Sequence, residues 1–252
     1  MDLNHKILGE GEPIIILHGL FGMLDNWQTV AKELAKDYMV ILIDLRNHGK
    51  SPHSELWNVQ LMAEDVVNFM ESNWIYNANI IGHSMGGKVA MEVALTNPSL
   101  VEKLVVVDIG PRAYLPGHEL IFKGLQSVPI SKIGSRNEAE EALAEAINDK
   151  GVRQFLLKNI SRLKDGGYRW KMNLPVIINN YESILEESRI DEVYDGPSLF
   201  IGGQLSNYIR VEDEVLIKEV FPSAEIIMIP DAGHWVHADQ KDELVKVIRE
   251  FI

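Results

Sequence analysis

Six short apolar runs, spread along the chain and nearly free of polar residues, constrain the fold more than any other feature. They are PIIIL (13–17), YMVILID (38–44), NANIIG (77–82), KLVVVD (103–108), PSLFIG (197–202) and AEIIMIP (224–230). Each has strand length, is rich in Ile and Val, and lacks the polar and apolar alternation of a strand with one wet face, so each reads as a strand buried on both faces. Helical patterns lie between them. Residues 86–97 place Val89, Ala90, Val93 and Ala94 at helical spacing, and the last segment sets Leu244, Val247, Ile248 and Phe251 on one face. Alternating strand and helix predicts an α/β fold: a mostly parallel central sheet flanked by helices.

The alternation stops between 112 and 191. There NEAEEALAEAI (137–147) favours helix by propensity, and Val152, Phe155, Leu156, Ile160 and Leu163 form a second amphipathic stripe. The expected organisation is a core made of residues 1–111 and 192–252, interrupted by a helical cap over 112–191. Functionally such an insertion is a lid over a site; the plainer alternative is a second packing layer. Tyr114, Phe122, Phe155, Trp170, Met172 and Tyr181 supply bulk for an apolar pocket, and the sequence does not say which of them face it.

Composition removes several function classes. A formal net charge of -13 argues against a nucleic-acid partner, which needs clustered Lys and Arg to neutralise phosphates. With no cysteine there is no disulfide, thiolate nucleophile or Cys-based metal site, so any nucleophile is an oxygen or an amine. The N-terminal residues lack the basic and apolar regions of a signal peptide, and no apolar run approaches the roughly 18 residues of a membrane helix. A cytoplasmic enzyme, monomer or homodimer, with no membrane span and a small-molecule substrate is expected.

Gly82-His83-Ser84-Met85-Gly86 matches G-x-S-x-G with the context that gives the motif meaning, a buried strand before it and a helix after it. Flanking glycines allow a sharp turn that lifts the Ser84 hydroxyl above the carboxyl end of the sheet. The bland alternative is a tight turn in which Ser84 only caps the helix. A serine nucleophile needs a base within hydrogen-bond reach. His234, in IPDAGHWVHADQ just past the last predicted strand, has the right address, with His237 as its local rival. That histidine pair at i, i+3 lacks an evident third ligand, so no metal or other cofactor is expected.

Asp108, at the end of the strand after the elbow helix, is the expected acid that orients His234. The order Ser84, Asp108, His234 agrees with this hydrolase logic, while a strand-terminal turn cap is the structural alternative. Charge that develops on the substrate carbonyl oxygen needs preorganised N–H donors. The candidates are the backbone of Met85, after the nucleophile, and of Leu20, in His18-Gly19-Leu20-Phe21-Gly22 after the first buried strand. His18, Phe21, His83 and Trp235 are the side chains expected at the substrate. His48-Gly49-Lys50-Ser51 contains the G-K-S of a phosphate loop, but Asp44 stands where that motif needs a glycine, so no nucleotide site is expected.

Together these residues resemble the α/β-hydrolase fold over nearly the whole chain. DLRNHGKS (44–51), GHSMGGKVAM (82–91), VVDIGP (106–111) and AGHWVHAD (232–239) are similar to a narrower group, the YbfF-type bacterial esterases and their mitochondrial relatives. The resemblance implies a serine esterase with a helical cap, acting on small acyl esters and acyl-CoA thioesters without a cofactor. Many members of the wider fold carry the acid at a Gly-x-x-Asp position after the next-to-last strand. Here Gly203-Gln204-Leu205-Ser206 puts a serine there, which favours Asp108 and leaves Asp213 as a fallback. Rival activities on the same scaffold are a lactonase, a carbon-carbon bond hydrolase or a peptidase, and a rival of another class is a slow-turnover receptor.

Overall fold

Strands buried on both faces require cover on both faces, and a computed structural model of the chain, describing residues 1–164 and 166–252, has that arrangement. The chain runs β1 (His5–Leu8), β2 (Pro13–Leu17), α1 (Gln28–Leu34), β3 (Met39–Ile43), α2 (Val59–Ser72), β4 (Ala78–His83), α3 (Met85–Thr96) and β5 (Val101–Val107). After β5 come α4 (Glu119–Ser127), α5 (Arg136–Ala144), α6 (Lys150–Leu157), a hairpin of β6 (Ile160–Arg162) and β7 (Tyr168–Trp170), and α7 (Leu174–Asn179). The chain continues with β8 (Ser198–Gly203), α8 (Asp213–Val220), β9 (Ala224–Ile229), α9 (Val236–Asp239) and α10 (Lys241–Phe251).

Among the described residues, seven strands form one sheet in the order β1-β3-β2-β4-β5-β8-β9. All neighbours pair in parallel except β1, which lies antiparallel to β3 at the edge. The six strands expected from the apolar runs are all present. The edge strand was not expected, because its exposed and half-buried residues carry little apolar signal.

Successive strand residues point to opposite faces, and across the middle of the sheet both faces are dry; β9 departs from that expectation, because at the sheet edge Glu225 and Met228 are exposed and Ile226 and Ile227 only half-buried. Ile15, Leu17, Ile41, Ile80 and Val106 pack beneath α2 and α3 with Val66, Phe69, Val89 and Val93, whereas Ile14, Ile16, Leu42, Ile81 and Val105 pack with α1 and α10 through Val30, Leu34, Leu244 and Ile248. That is why polar residues do not alternate along these strands.

The segment between β5 and β8 departs from the expected helical insertion. The stripe expected from Val152 to Leu163 is not one helix: α6 stops at Leu157, Ile160 belongs to a β-strand, and Leu163 lies in the hairpin connection. Asn159 is the break. Its side-chain amide donates to the Phe21 carbonyl (2.7 Å), and its own carbonyl accepts the Lys171 N–H (2.7 Å), so long-range partners replace the next helical turn.

Candidate active site

The chain reverses between β4 and α3 at Ser84, whose φ of 51° and ψ of -120° lie where non-glycine residues are strained by about 1 to 3 kcal/mol. The neighbours make the bend sterically feasible. A Cβ on Gly82 would run into the Gly86 carbonyl, and one on Gly86 into the carbonyls of Leu17 and His18. Backbone bonds hold the bend: the Ser84 N–H donates to Val107 O (2.9 Å), and the Ser84 carbonyl accepts from the N–H groups of Gly87 (2.8 Å) and Lys88 (3.1 Å). The Ser84 side chain does not cap α3. Its Oγ instead lies 3.0 Å from His234 Nε2.

His234 sits in the loop after β9, and its Nδ1 lies 2.7 Å from Asp108 Oδ2. A carboxylate only accepts, so Nδ1 carries the proton and the neutral ring offers Nε2 as an acceptor for the Ser84 hydroxyl. Asp108 follows β5 with φ 52° and is fully buried. Its Oδ1 accepts the Gly203 N–H (2.9 Å), and Oδ2 accepts the Ser206 hydroxyl (2.5 Å) as well as His234. The Tyr208 ring stacks on the His234 imidazole with centroids 3.8 Å apart. Ser206 and Tyr208 carry no catalytic signal of their own in the sequence; Ser206 stands out only as the serine at a position where an acid is common.

The local rivals are engaged elsewhere. His237 stacks on Trp27 at 4.6 Å, and burial, then repulsion from His234, push it down to about 3. Asp213 pairs with Arg112 Nε (2.9 Å) and accepts the Arg210 N–H (2.9 Å) at the start of α8.

Of the side chains expected at the substrate, His18 is held at both nitrogens: Nε2 accepts the Leu45 N–H (3.0 Å), so Nδ1 donates to the Gly19 carbonyl (2.8 Å). Burial lowers its pKa to about 4. His83 donates Nε2–H to the His234 carbonyl (2.8 Å), and burial followed by repulsion from His234 and His237 holds it well below the ordinary range. Phe21 (φ 58°) turns its ring toward His118 and Phe122, and the Trp235 ring faces Phe155 at 5.4 Å. All four line a cavity beside Ser84.

Two cavities open on Ser84. The narrower, of about 50 Å³, runs toward Phe21, Trp27, Phe155 and Trp235. The larger, of about 290 Å³, runs toward Met85, Ile109, Leu115, Ile184 and Tyr208. Leu20 lines both, and among the described residues neither its N–H nor that of Met85 is given to a protein acceptor. Lys88 also reaches the larger cavity from α3, donating to the carbonyls of Arg112 (2.7 Å) and Glu186 at opposite ends of the 112–191 segment. Burial, then the Arg112 charge, lowers its pKa to about 7.

The G-K-S turn serves another purpose. Asp44 accepts the N–H groups of Leu24 (2.7 Å) and Lys50 (2.8 Å) and the Asn4 amide (2.6 Å). A Cβ on Gly49 (φ 57°) would strike this carboxylate, so the glycine makes room for Asp44 rather than for a phosphate.

The sheet carries a serine raised on a strained turn between a parallel strand and a helix at its carboxyl edge, and residues 12–241 of the chain match the family described as alpha/beta hydrolase fold. The chain belongs to the α/β-hydrolase fold family. Within it, the chain is 42% identical to the sn-1-specific diacylglycerol lipase ABHD11 of Danio rerio, covering 97% of this chain and 79% of that protein. It is 38% identical to Esterase YbfF of Escherichia coli (strain K12), covering 95% and 92% respectively, which places it with the YbfF-type members of the α/β hydrolases. A solved structure described as a marine microorganism esterase superposes with a TM-score of 0.97 at 44% identity, covering 99% of both chains. Among the described residues, no helix of this α/β hydrolase is long and apolar enough to cross a membrane.

Proposed function

We propose that the protein is a serine esterase that hydrolyses small to medium acyl esters in two acyl-transfer steps. The observation that carries this reading is the hydrogen-bonded chain from Ser84 Oγ through His234 to Asp108, at 3.0 and 2.7 Å, with Ser84 lining two cavities. The similarity to an esterase and a lipase supports the same class, a carboxylic ester hydrolase.

In the first step Ser84 Oγ attacks the ester carbonyl and His234 Nε2 takes its proton. Asp108 keeps Nδ1 protonated and stabilises the imidazolium. The N–H groups of Leu20 and Met85 receive the oxyanion. Collapse expels the alcohol, which takes the proton from His234, and leaves Ser84 acylated. Water then gives a proton to His234 and attacks the acyl carbonyl; the proton returns to Ser84 as the acid departs.

Residues 112–191 act as the cap. Their Leu115, Ile184 and Leu185 give the larger cavity an apolar wall suited to a hydrocarbon chain. Thioesters enter the same chemistry, because only the leaving atom changes. Glycerides are the further substrate class that the similarity to a diacylglycerol lipase brings into the reading.

The test is hydrolysis of p-nitrophenyl esters of increasing acyl length, with acyl-CoA thioesters and a short-chain diacylglycerol alongside, by wild type and Ser84→Ala. Turnover is expected on the esters and a loss of roughly 10⁴-fold or more in Ser84→Ala. Turnover that survives in a folded Ser84→Ala protein would overturn the assignment.

A further inference from the structure

Outside the chain of Ser84, His234 and Asp108, one polar side chain faces the place where both cavities meet. Leu20, Ser84 and His118 are the residues that line the narrow cavity and the large one alike. Leu20 and Ser84 come from the core; His118 comes from the segment between β5 and β8, at the N-terminus of α4.

The surroundings define which nitrogen of His118 carries its proton. Nδ1 lies 2.5 Å from the Tyr181 hydroxyl. That phenol keeps its proton, since burial pushes its pKa up to about 12, and His118 Nδ1 is the acceptor it meets among the described residues. The phenol proton therefore goes to His118 Nδ1, and in the neutral ring the remaining proton sits on Nε2. Nε2 has no protein partner among the described residues. Burial, then repulsion from His234, lowers the imidazole to about 4, so it stays neutral near pH 7. Phe21 and Tyr181 meet the ring edge-on at 6.0 and 5.4 Å, and Phe122 adds a tilted contact, so the donor is held in place.

On the acyl-transfer reading above, an ester spanning the two cavities has two oxygens at their junction. The carbonyl oxygen is served by the N–H groups of Leu20 and Met85. The bridging oxygen, which gains negative charge as the carbon-oxygen bond breaks, faces the cap. We propose that His118 is a substrate-contacting residue whose Nε2–H donates a hydrogen bond to the departing oxygen. His118 keeps its proton throughout, and the proton that leaves with the alcohol is still the one His234 took from Ser84. Such a donor matters little for a leaving group that is already a stable anion and much for a poor one.

The experiment compares kcat/KM for p-nitrophenyl butyrate and ethyl butyrate in wild type, His118→Phe, His118→Gln and Ser84→Ala. His118→Phe is expected to lose about 10- to 100-fold on the ethyl ester, mainly in kcat, and less than about threefold on the p-nitrophenyl ester. His118→Gln, which retains an N–H donor, is expected to recover a large part of the loss on the ethyl ester. Equal losses on both esters, or a His118→Gln protein no better than His118→Phe, would overturn the inference while leaving Ser84 as the nucleophile. A wild type that hydrolyses neither ester, or a Ser84→Ala protein as active as wild type, removes the acyl-transfer reading and this inference with it.

Discussion

The hydroxyl of Ser206 and the Nδ1–H of His234 are both directed at the same oxygen of Asp108, Oδ2. The carboxylate that orients the proposed base is thus itself held by a serine from the loop after β8, while the Gly203 N–H fixes its other oxygen. Hydrogen bonds to a charged group are worth about 1.5 to 3 kcal/mol. Ser206→Ala is therefore expected to lower kcat roughly tenfold with KM little changed, and Ser206→Thr, which keeps a hydroxyl, to lose less. Steady-state kinetics on a p-nitrophenyl ester checks this, and an unaltered kcat in Ser206→Ala would contradict it.

Asp108 and Asp213 make opposite predictions. Asparagine at 108 can present its amide to Nδ1, which favours the wrong tautomer of His234, and kcat is expected to fall by about 10⁴ in a folded protein. Asp213→Asn removes the partner of Arg112, so the cost appears as stability, about 1 to 3 kcal/mol, with kcat within about threefold of wild type. Denaturant titration and kinetics on both variants decide the matter. The reverse pattern would transfer the acid role to Asp213.

Acid should destabilise the fold before ordinary carboxylates titrate. Burial lowers His18 to about 4 and His237 to about 3, and burial together with repulsion from His18 lowers His48 to about 3, all from 6.5. Between pH 6.5 and those values the unfolded chain binds protons that the folded one refuses. The stability is therefore fully present above about pH 6.5 and is lost as pH falls toward 4 and 3, by up to about 1.4 kcal/mol per pH unit for each histidine. Urea unfolding at pH 7, 6 and 5 measures the slope. His48→Gln is expected to flatten it, and an identical slope in that variant would rule out His48 as a contributor.

Much of this architecture is legible one segment at a time. Runs such as PIIIL and KLVVVD read as buried strands, because both of their faces are apolar, and G-H-S-M-G between a strand and a helix identifies the turn that raises Ser84. The position of His234 after the last run follows from the same argument, since parallel strands deliver their carboxyl ends to one edge. Local signals of this kind depend on side-chain periodicity and on glycine placement, and those are properties of the chain itself.

Other features depend on partners far away in sequence. Strand β1 has an alternating, poorly buried pattern and exists because β3 offers it an edge. The helix expected through Leu163 ends early because Asn159 finds Phe21 and Lys171, and β6 then finds β7. No feature near Tyr208 or His118 sets them apart in the sequence, and Ser206 stands out only as a serine where an acid is common, for their significance lies in contacts with His234, Tyr181 and Asp108. The sequence alone thus determined the sheet, the elbow and the residues brought to its edge, because burial and backbone geometry are local demands. Only the tertiary structure decided which histidine meets Ser84, what holds Asp108 and that His118 lines both cavities, because a hydrogen bond of about 2.5 to 3.2 Å is set by the packing of whole elements.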